Sequence, residues 1–207
     1  RGDVPGVDTP MLEFFGPRDL DHMDDHKRAL TLEHLLMMRA GFDWDESSVT
    51  YSHPDNDCAR METSDDWVAF AANRPVIYAP GSHFCYNSGV SQILSHVFHA
   101  ATGRTIDDYA RQHLFEPLGI SNFHWDLTPG GLPDTEGGLF LHAHDLARIG
   151  RLYLRGGDWD GQRILSSAWV AASTRAAPGH LGGVHVDGRG YGYQWWTFDD
   201  GTFGARG

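Results

Sequence analysis

The sequence predicts an α+β fold in which helices carry most of the chain and strands arrive at its end. Three observations support this. Apolar residues recur at helical spacing in successive segments between Thr31 and Ser173. Cap-type residues (Ser, Thr, Asp) precede most of these segments, and Gly or Pro closes several of them. Alternating aromatic residues, a strand pattern, appear only over Tyr191 to Phe198 and at Thr202 and Phe203. Residues 1–185 therefore read as a mainly helical region and 186–207 as the start of a sheet, together one structural unit incomplete at both ends.

The elements follow in order. Residues 1–30, with Pro5, Pro10 and Pro17, read as loop around a short apolar piece from Met11 to Phe15. The charge-dense stretch from Asp19 to Lys27 reads as a solvated face. Thr31 caps a helix to about Arg39, with Leu32, Leu35 and Leu36 on one stripe and Gly41 as its stop. Residues 43–63 are polar and irregular. Ser64, Asp65 and Asp66 open a helix to about Ala72. Pro75 to Pro80 is an extended connector. A long amphipathic helix runs from about Ser88 to Thr102, with Ile93, Val97, Ala100 and Ala101 as its stripe and Gly103 as its stop. Thr105 caps a helix to about Leu114, and Pro117 forbids much extension. Residues 121–138 form a Gly/Pro-rich loop. His142 or its neighbour starts a helix through Leu154, closed by Gly156 and Gly157. Ser166 or Ser167 caps a short helix to about Ser173.

Composition narrows the function classes. A chain of 207 residues with 41% hydrophobic content can bury a core. Its 16 basic and 28 acidic residues give a formal net charge of −12, which repels phosphate backbones, so no nucleic-acid partner is expected. Anionic membrane surfaces are disfavoured for the same reason. No apolar run approaches the roughly 20 residues that span a bilayer. Cys58 and Cys85 are the two cysteines; they exclude a disulfide scaffold and a Cys-x-x-Cys metal site but leave one disulfide open. The ends, at Arg1 and Gly207, read as those of a fragment of a longer protein. Arg1-Gly2-Asp3 spells an integrin-binding triplet, which at this length is a chance match.

Several chemistries lack a signal. There is no Gly-x-Ser-x-Gly elbow, phosphate loop, dinucleotide fingerprint or His-Glu-x-x-His, so no cofactor is expected. The single lysine, Lys27, has Asp24 three positions earlier, so no Ser-x-x-Lys occurs. Among the 13 histidines, His96/His99 and His142/His144 with Asp145 approach ligand spacing. The first pair lies in an apolar-rich helix without a third ligand. In the second, His142 sits at a helix cap and Asp145 would bond back to the first turn. No metal site is expected.

The most informative segment runs from Tyr78 to His96. A Pro80-Gly81 turn leads through Phe84, Tyr86, Asn87 and Ser88 directly into a helix N-terminus. Tyr86 is thereby held beside the positive end of a helix, which would ease it toward phenolate. Ser88 falls on the same side if the connection is extended. The alternative is that Tyr86 packs and Ser88 merely caps the helix.

The pattern Pro-Gly-x-x-Phe-x-Tyr-Asn-Ser-Gly before a helix resembles the second motif of serine β-lactamase-like hydrolases, the family of class C β-lactamases, DD-peptidases and related esterases and amide hydrolases. Four further blocks agree in order: Leu30 to Trp44, Phe115 to Ile120, Gly137 to Gly157, and Tyr191 to Trp196. Within the family the sequence is nearest the esterase and amide-hydrolase branch, including 6-aminohexanoate-oligomer hydrolases. The resemblance implies a β-lactamase/transpeptidase-like fold, present here as mostly its helical half with the first strands of the antiparallel sheet. It places the Ser-x-x-Lys just before Arg1 and the third motif at or just after Gly207.

The resemblance further implies acyl transfer. A serine outside this chain attacks an ester, amide or lactam carbonyl, and water hydrolyses the acyl-enzyme. Tyr86 would act as general base and acid, and Ser88 would stand where the family often has Asn, with shorter reach. A lysine outside this chain would bring the phenol into range. The substrate would be lined by Asn87, Asp43, Trp44, Asp45, Gly138, Trp196 and Gly207, with an oxyanion-hole N–H near or beyond Gly207. Trp195 and Trp196 alternate, so only one faces the cleft. The chain alone is expected to be inactive. Two other readings compete: a binding relative without the nucleophile, and a metal-dependent hydrolase using His142, His144 and Asp145.

Overall fold

Side-chain caps define most of the helices in the computed structural model, which describes residues 3–16, 20–176 and 189–205. Asp24 caps α1 (Asp25–Arg28) and Thr31 caps α2 (Leu32–Leu36). Asn56 caps α3 (Asp57–Glu62), and Asp66 caps α4 (Trp67–Ala72). Asn87 caps α5 (Ser88–Thr102), which ends on Gly103 in the left-handed region at φ 67°. Thr105 precedes α6 (Ile106–Ala110) without a side-chain cap bond, and a π-helical turn, Arg111–Phe115, continues it. His142 precedes α7 (Ala143–Leu154), and Ser166 caps α8 (Ser167–Ser173). In each capped helix a short polar side chain accepts an N–H that has no carbonyl partner in the first turn.

Strands come earlier than the sequence suggested. β1 (Phe123–Trp125) and β2 (Leu139–Leu141) pair antiparallel with Phe123 opposite Leu141, inside what reads as a Gly/Pro-rich loop and a helix approach. β3 (Asp158–Trp159) and β4 (Gln162–Arg163) form a minimal hairpin. Strands of two or three residues are too short for a period-two pattern to stand out, which is why the 1–185 region reads as mainly helical with no strands in it. At the C-terminal end, β5 (Arg189–Tyr191), β6 (Trp196–Phe198) and β7 (Phe203–Gly204) form an antiparallel three-stranded sheet in sequence order. The aromatic run from Tyr191 is therefore a hairpin broken at residues 192–195, with Gln194 at φ 60°.

Other differences have local causes. The Thr31 helix stops at Leu36, because Met38 adopts φ 55°. Its cap is a box closed by the His34 ring, which accepts from Thr31 N at 3.2 Å. The 43–63 stretch contains α3, since Asn56 accepts from both Cys58 N and Ala59 N. Lys27 is fully buried rather than solvated, its Nζ donating to Asp21 O at 2.6 Å and Ala72 O at 2.8 Å. Ala100 at the end of α5 is exposed, while Val90, Ile93 and Val97 carry the buried stripe.

Two hydrophobic clusters result. The larger joins Met11, Leu30, Leu35, Phe42, Trp44, Met61, Val68, Phe84, Val90, Ile93 and Tyr191. The smaller gathers Phe115, Leu118, Ile120 and Leu152 beneath β1 and β2. Gly89 lets α5 pass close to α4: a Cβ there would lie 2.7 Å from Ala71 Cβ and 3.0 Å from Trp44 Cη2. At the rim of the larger cluster, the start of α5, the segment leading into it and the β5–β6 hairpin converge. The Phe84 ring lies 5.3 Å from Tyr191 and 5.9 Å from Trp196.

Candidate active site

The extended segment that follows α2 alternates strictly. Phe42, Trp44 and Glu46 turn inward, while Asp43 and Asp45 face solvent. The inward face carries Glu46 under the first residue of α5. Ser88 N donates to Glu46 Oε2 at 2.8 Å and Ser88 Oγ to Glu46 Oε1 at 3.0 Å. Trp44 Nε1 donates to Oε2 at 2.6 Å and Tyr51 OH to Oε1 at 3.1 Å. Asn56 Nδ2 ties the segment down through Glu46 O and Val49 O. The buried carboxylate thus collects four donors, two of them from Ser88.

Tyr86 stands next to this anchor. Its ring stacks on Trp196 (centroids 5.8 Å, planes 18° apart) and meets Tyr191 edge-on at 6.4 Å. With Glu46, Val49 and Tyr51 it lines a cavity of about 460 Å³. Asn87, between Tyr86 and Ser88, is buried and spends its side chain on Val90 N at 3.1 Å. It is therefore Asn87 that caps α5, and the Ser88 hydroxyl is left to Glu46. Trp195 packs away from this point, against Tyr153 and Phe203, so Trp196 is the indole that faces the site.

The electrostatics reverse the expectation that the helix N-terminus eases Tyr86 toward phenolate. Burial, then the coulombic influence of the acidic groups Glu46, Glu136 and Cys58, pushes the Tyr86 phenol up to about 12. Desolvation and carboxylates outweigh the helix end, which Asn87 and Glu46 already occupy. Burial raises Glu46 above the ordinary carboxylate range against the pull of its hydrogen bonds. Glu136 is pushed up to about 8, first by burial and then by its hydrogen bond with Glu62. Cys85, whose Sγ donates to Trp44 O at 3.2 Å, is raised to about 11 by burial. Cys58 is raised by burial and the charge of Glu136. Both cysteines are free thiols.

Four of the residues singled out in the sequence thus come together with Tyr86: Trp44, Asn87, Ser88 and Trp196. Asp43 instead points outward, 4.0 Å from Arg74. Asp45 is exposed and accepts from Ser47 N, Ser48 N and Ser48 Oγ. Gly138 lies at the mouth of the β1–β2 hairpin, where a Cβ would meet Asp134 Cβ at 2.7 Å. Its close approach is to its own loop. Gly207 lies outside the described residues. The histidine set does not converge on a metal: the His142 ring meets Asn122 Nδ2 at 3.1 Å, and Asp145 pairs with Arg148 at 2.6 Å. His96 meets Phe14 O. Among the described residues, the donor group that does converge is Cys58, Glu62 and Glu136, with ligand atoms within 4.8 Å of one another. There Cys58 Sγ lies 3.9 Å from Glu62 Oε1 and 3.8 Å from Glu136 Oε2, within reach to donate to either.

Glu46, the centre of this arrangement, was missed from sequence, as were Tyr51, Cys58 and Glu136. The alternation of Phe42, Trp44 and Glu46 was the available signal, and it lies in a stretch read as irregular. A larger apolar groove, about 780 Å³, runs along α5 from Ser91 past Leu94 and Phe98, facing Leu32, Leu36 and Gln194. Ser88, Ser91 and Ser95 share one stripe of that helix.

With this geometry in place, the comparisons with known proteins are specific. Residues 17–207 match the Beta-lactamase family, and the chain belongs to it. Members of this family are hydrolases, mostly serine-based, and the fold is β-lactamase/transpeptidase-like. A candidate 6-aminohexanoate-dimer hydrolase from Bacillus anthracis superposes with a TM-score of 0.80 at 20% identity, over 99% of this chain and 56% of that one. The octameric penicillin-binding protein homologue from Pyrococcus abyssi gives 0.67 at 20% identity, over 94% and 48%. A D-stereospecific amidohydrolase from Streptomyces gives 0.68 at 15% identity, over 98% and 66%. The chain therefore spans about half to two thirds of the length of these structures. No curated protein matches it.

Proposed function

We propose that this chain is the central part of a serine hydrolase that forms an acyl-enzyme on an ester, amide or β-lactam carbonyl, with Tyr86 as general base and acid. The observation that carries this reading is the position of Tyr86: at the rim of a cavity, two residues before Ser88, at the entrance of the 15-residue α5. The nucleophilic serine and its lysine are assigned to a Ser-x-x-Lys segment outside these 207 residues. Lys27 cannot substitute, because it is sealed in the core with both identified hydrogen bonds going to backbone carbonyls. The groove along α5 leads away from Ser88 on the same stripe and offers an apolar seat for the helix of that segment.

In the acylation step, the serine Oγ–H proton passes to the phenolate of Tyr86 as the new C–O bond forms. The bond to the leaving group breaks, and the same proton moves from Tyr86 to the leaving oxygen or nitrogen. Water then repeats the sequence on the ester. A phenol raised to about 12 is protonated at neutral pH, so the base role requires a cation. The ammonium group of the absent lysine, placed beside the ring, would bring the phenol down. The 207-residue chain alone is expected to turn over no substrate.

The test uses the full-length protein with a phosphonate ester probe and an ester substrate. Mass spectrometry should place the phosphonyl adduct on the serine of the Ser-x-x-Lys. Tyr86→Phe should lower kcat by about 10²–10⁴-fold with an unchanged thermal melt. Full activity in Tyr86→Phe would remove Tyr86 from the reaction.

A further inference from the structure

We propose that Glu46 is a positioning residue of this site: its buried carboxylate, braced by Trp44 and Tyr51, holds Ser88 and sets the field in which the Tyr86 phenol works. The inference rests on the reading of Tyr86 given above and goes beyond it by adding a residue that does not itself touch the reacting atoms. Both Ser88 bonds to Glu46 leave from the first residue of α5, one from the backbone and one from the hydroxyl. They therefore fix the helix start and the serine rotamer together. The brace is independent of α5, because Trp44 Nε1 and Tyr51 OH come from the 43–51 segment, itself pinned by Asn56. Glu46 is 2% exposed, and the four hydrogen bonds that reach it come from neutral N–H and O–H donors. When ionised, a carboxylate in such a setting is felt at neighbouring groups more strongly than one in water.

Among the described residues, the groups that act on or pack against Tyr86 come from several elements. Glu46 and Tyr51 lie on the segment after α2, Cys58 on α3 and Glu136 ahead of β2. Tyr191 lies on β5 and Trp196 on β6. Cys58 also acts on the phenol and has a side-chain hydrogen bond with Ser88, but Glu46 alone of this group holds Ser88 through both its backbone N–H and its hydroxyl. Charge and grip can be separated by substitution. Glu46→Gln keeps the shape and removes the charge, whereas Glu46→Asp keeps the charge and shortens the reach to Ser88.

The experiment follows phenol absorbance at 295 nm as a function of pH in the full-length protein, with Tyr86→Phe identifying which step belongs to Tyr86. In Glu46→Gln that step should move down by about one pH unit, because a nearby negative charge that opposed phenolate is gone. The rising limb of the kcat–pH profile should move with it while KM stays within about twofold. In Glu46→Asp the step should stay in place and kcat should fall to the level of Ser88→Ala. The double variant Glu46→Asp with Ser88→Ala should be no slower than either single one. A Tyr86 step that is unmoved in folded Glu46→Gln overturns the proposal. So does a wild-type kcat in Glu46→Asp, which also decides the matter if Glu46→Gln fails to fold. If Tyr86→Phe proves fully active, the hydrolase assignment of Tyr86 fails, yet the absorbance titration still reads whether Glu46 controls the phenol.

Discussion

At the scale of single residues, the site is governed by buried acidic groups. Glu46, Glu136 and Cys58 surround a phenol, and each is itself raised by burial. This has a consequence for stability against pH. Glu136 holds its proton to about pH 8 in the fold, against about 4.5 as a free side chain. Between those values the folded state binds more protons than the unfolded one, so stability falls as pH rises through that window. Urea midpoints measured from pH 4.5 to 8.5 should decline. Glu136→Gln, which has no proton to lose, should flatten much of that decline. The residual slope would belong to Glu46, which is raised in the same direction. Tyr86 was legible as a candidate because its motif is local: a turn, an aromatic segment and a helix start within a dozen residues. Its protonation was not legible, because it is set first by burial in the fold and then by acidic groups at residues 46, 136 and 58, far away in sequence.

At the scale of elements, caps and short anchors decide where the site residues stand. Asn56 is the clearest case. It is fully buried, accepts two N–H groups of α3 and donates to two carbonyls of the segment carrying Glu46. Asn56→Ala should cost about 2–4 kcal/mol, the sum of a lost cap and stranded buried carbonyls. The check is a lowered urea midpoint with an unchanged slope. Because the same side chain seats Glu46, the variant should also weaken the hold on Ser88. Long elements with a strong amphipathic period were readable in advance: α5 falls at Ser88–Thr102, and α8 follows Ser166. What escaped were elements too short to show a period, namely α3 and the β1–β2 and β3–β4 hairpins. Their existence depends on partners across the fold, as when Phe123 and Trp125 on β1 find Leu141 and Leu139 on β2. The role of Asn87 was displaced by one position for a similar reason. Either Asn87 or Ser88 can cap a helix, and only the presence of Glu46 decides which is free to do so.

At the scale of the whole molecule, α5 lies in the larger of the two hydrophobic clusters, and the β5–β6 hairpin packs against that cluster. That hairpin delivers Tyr191 into the larger cluster and Trp196 onto Tyr86, so the site rests on the sheet as much as on the helices. The larger cluster also hides Lys27, the chain's one lysine, at 0% exposure. Its ammonium is anchored between Asp21 O before α1 and Ala72 O at the end of α4. Lys27→Met should therefore lower the melting temperature by several degrees, since two buried carbonyls lose their donor. An acylating reagent that seeks side-chain amines will find none exposed within these 207 residues in the native state. Each adduct recovered at Lys27 by mass spectrometry then counts one molecule that has opened its core, giving a clock for unfolding that needs no engineered probe.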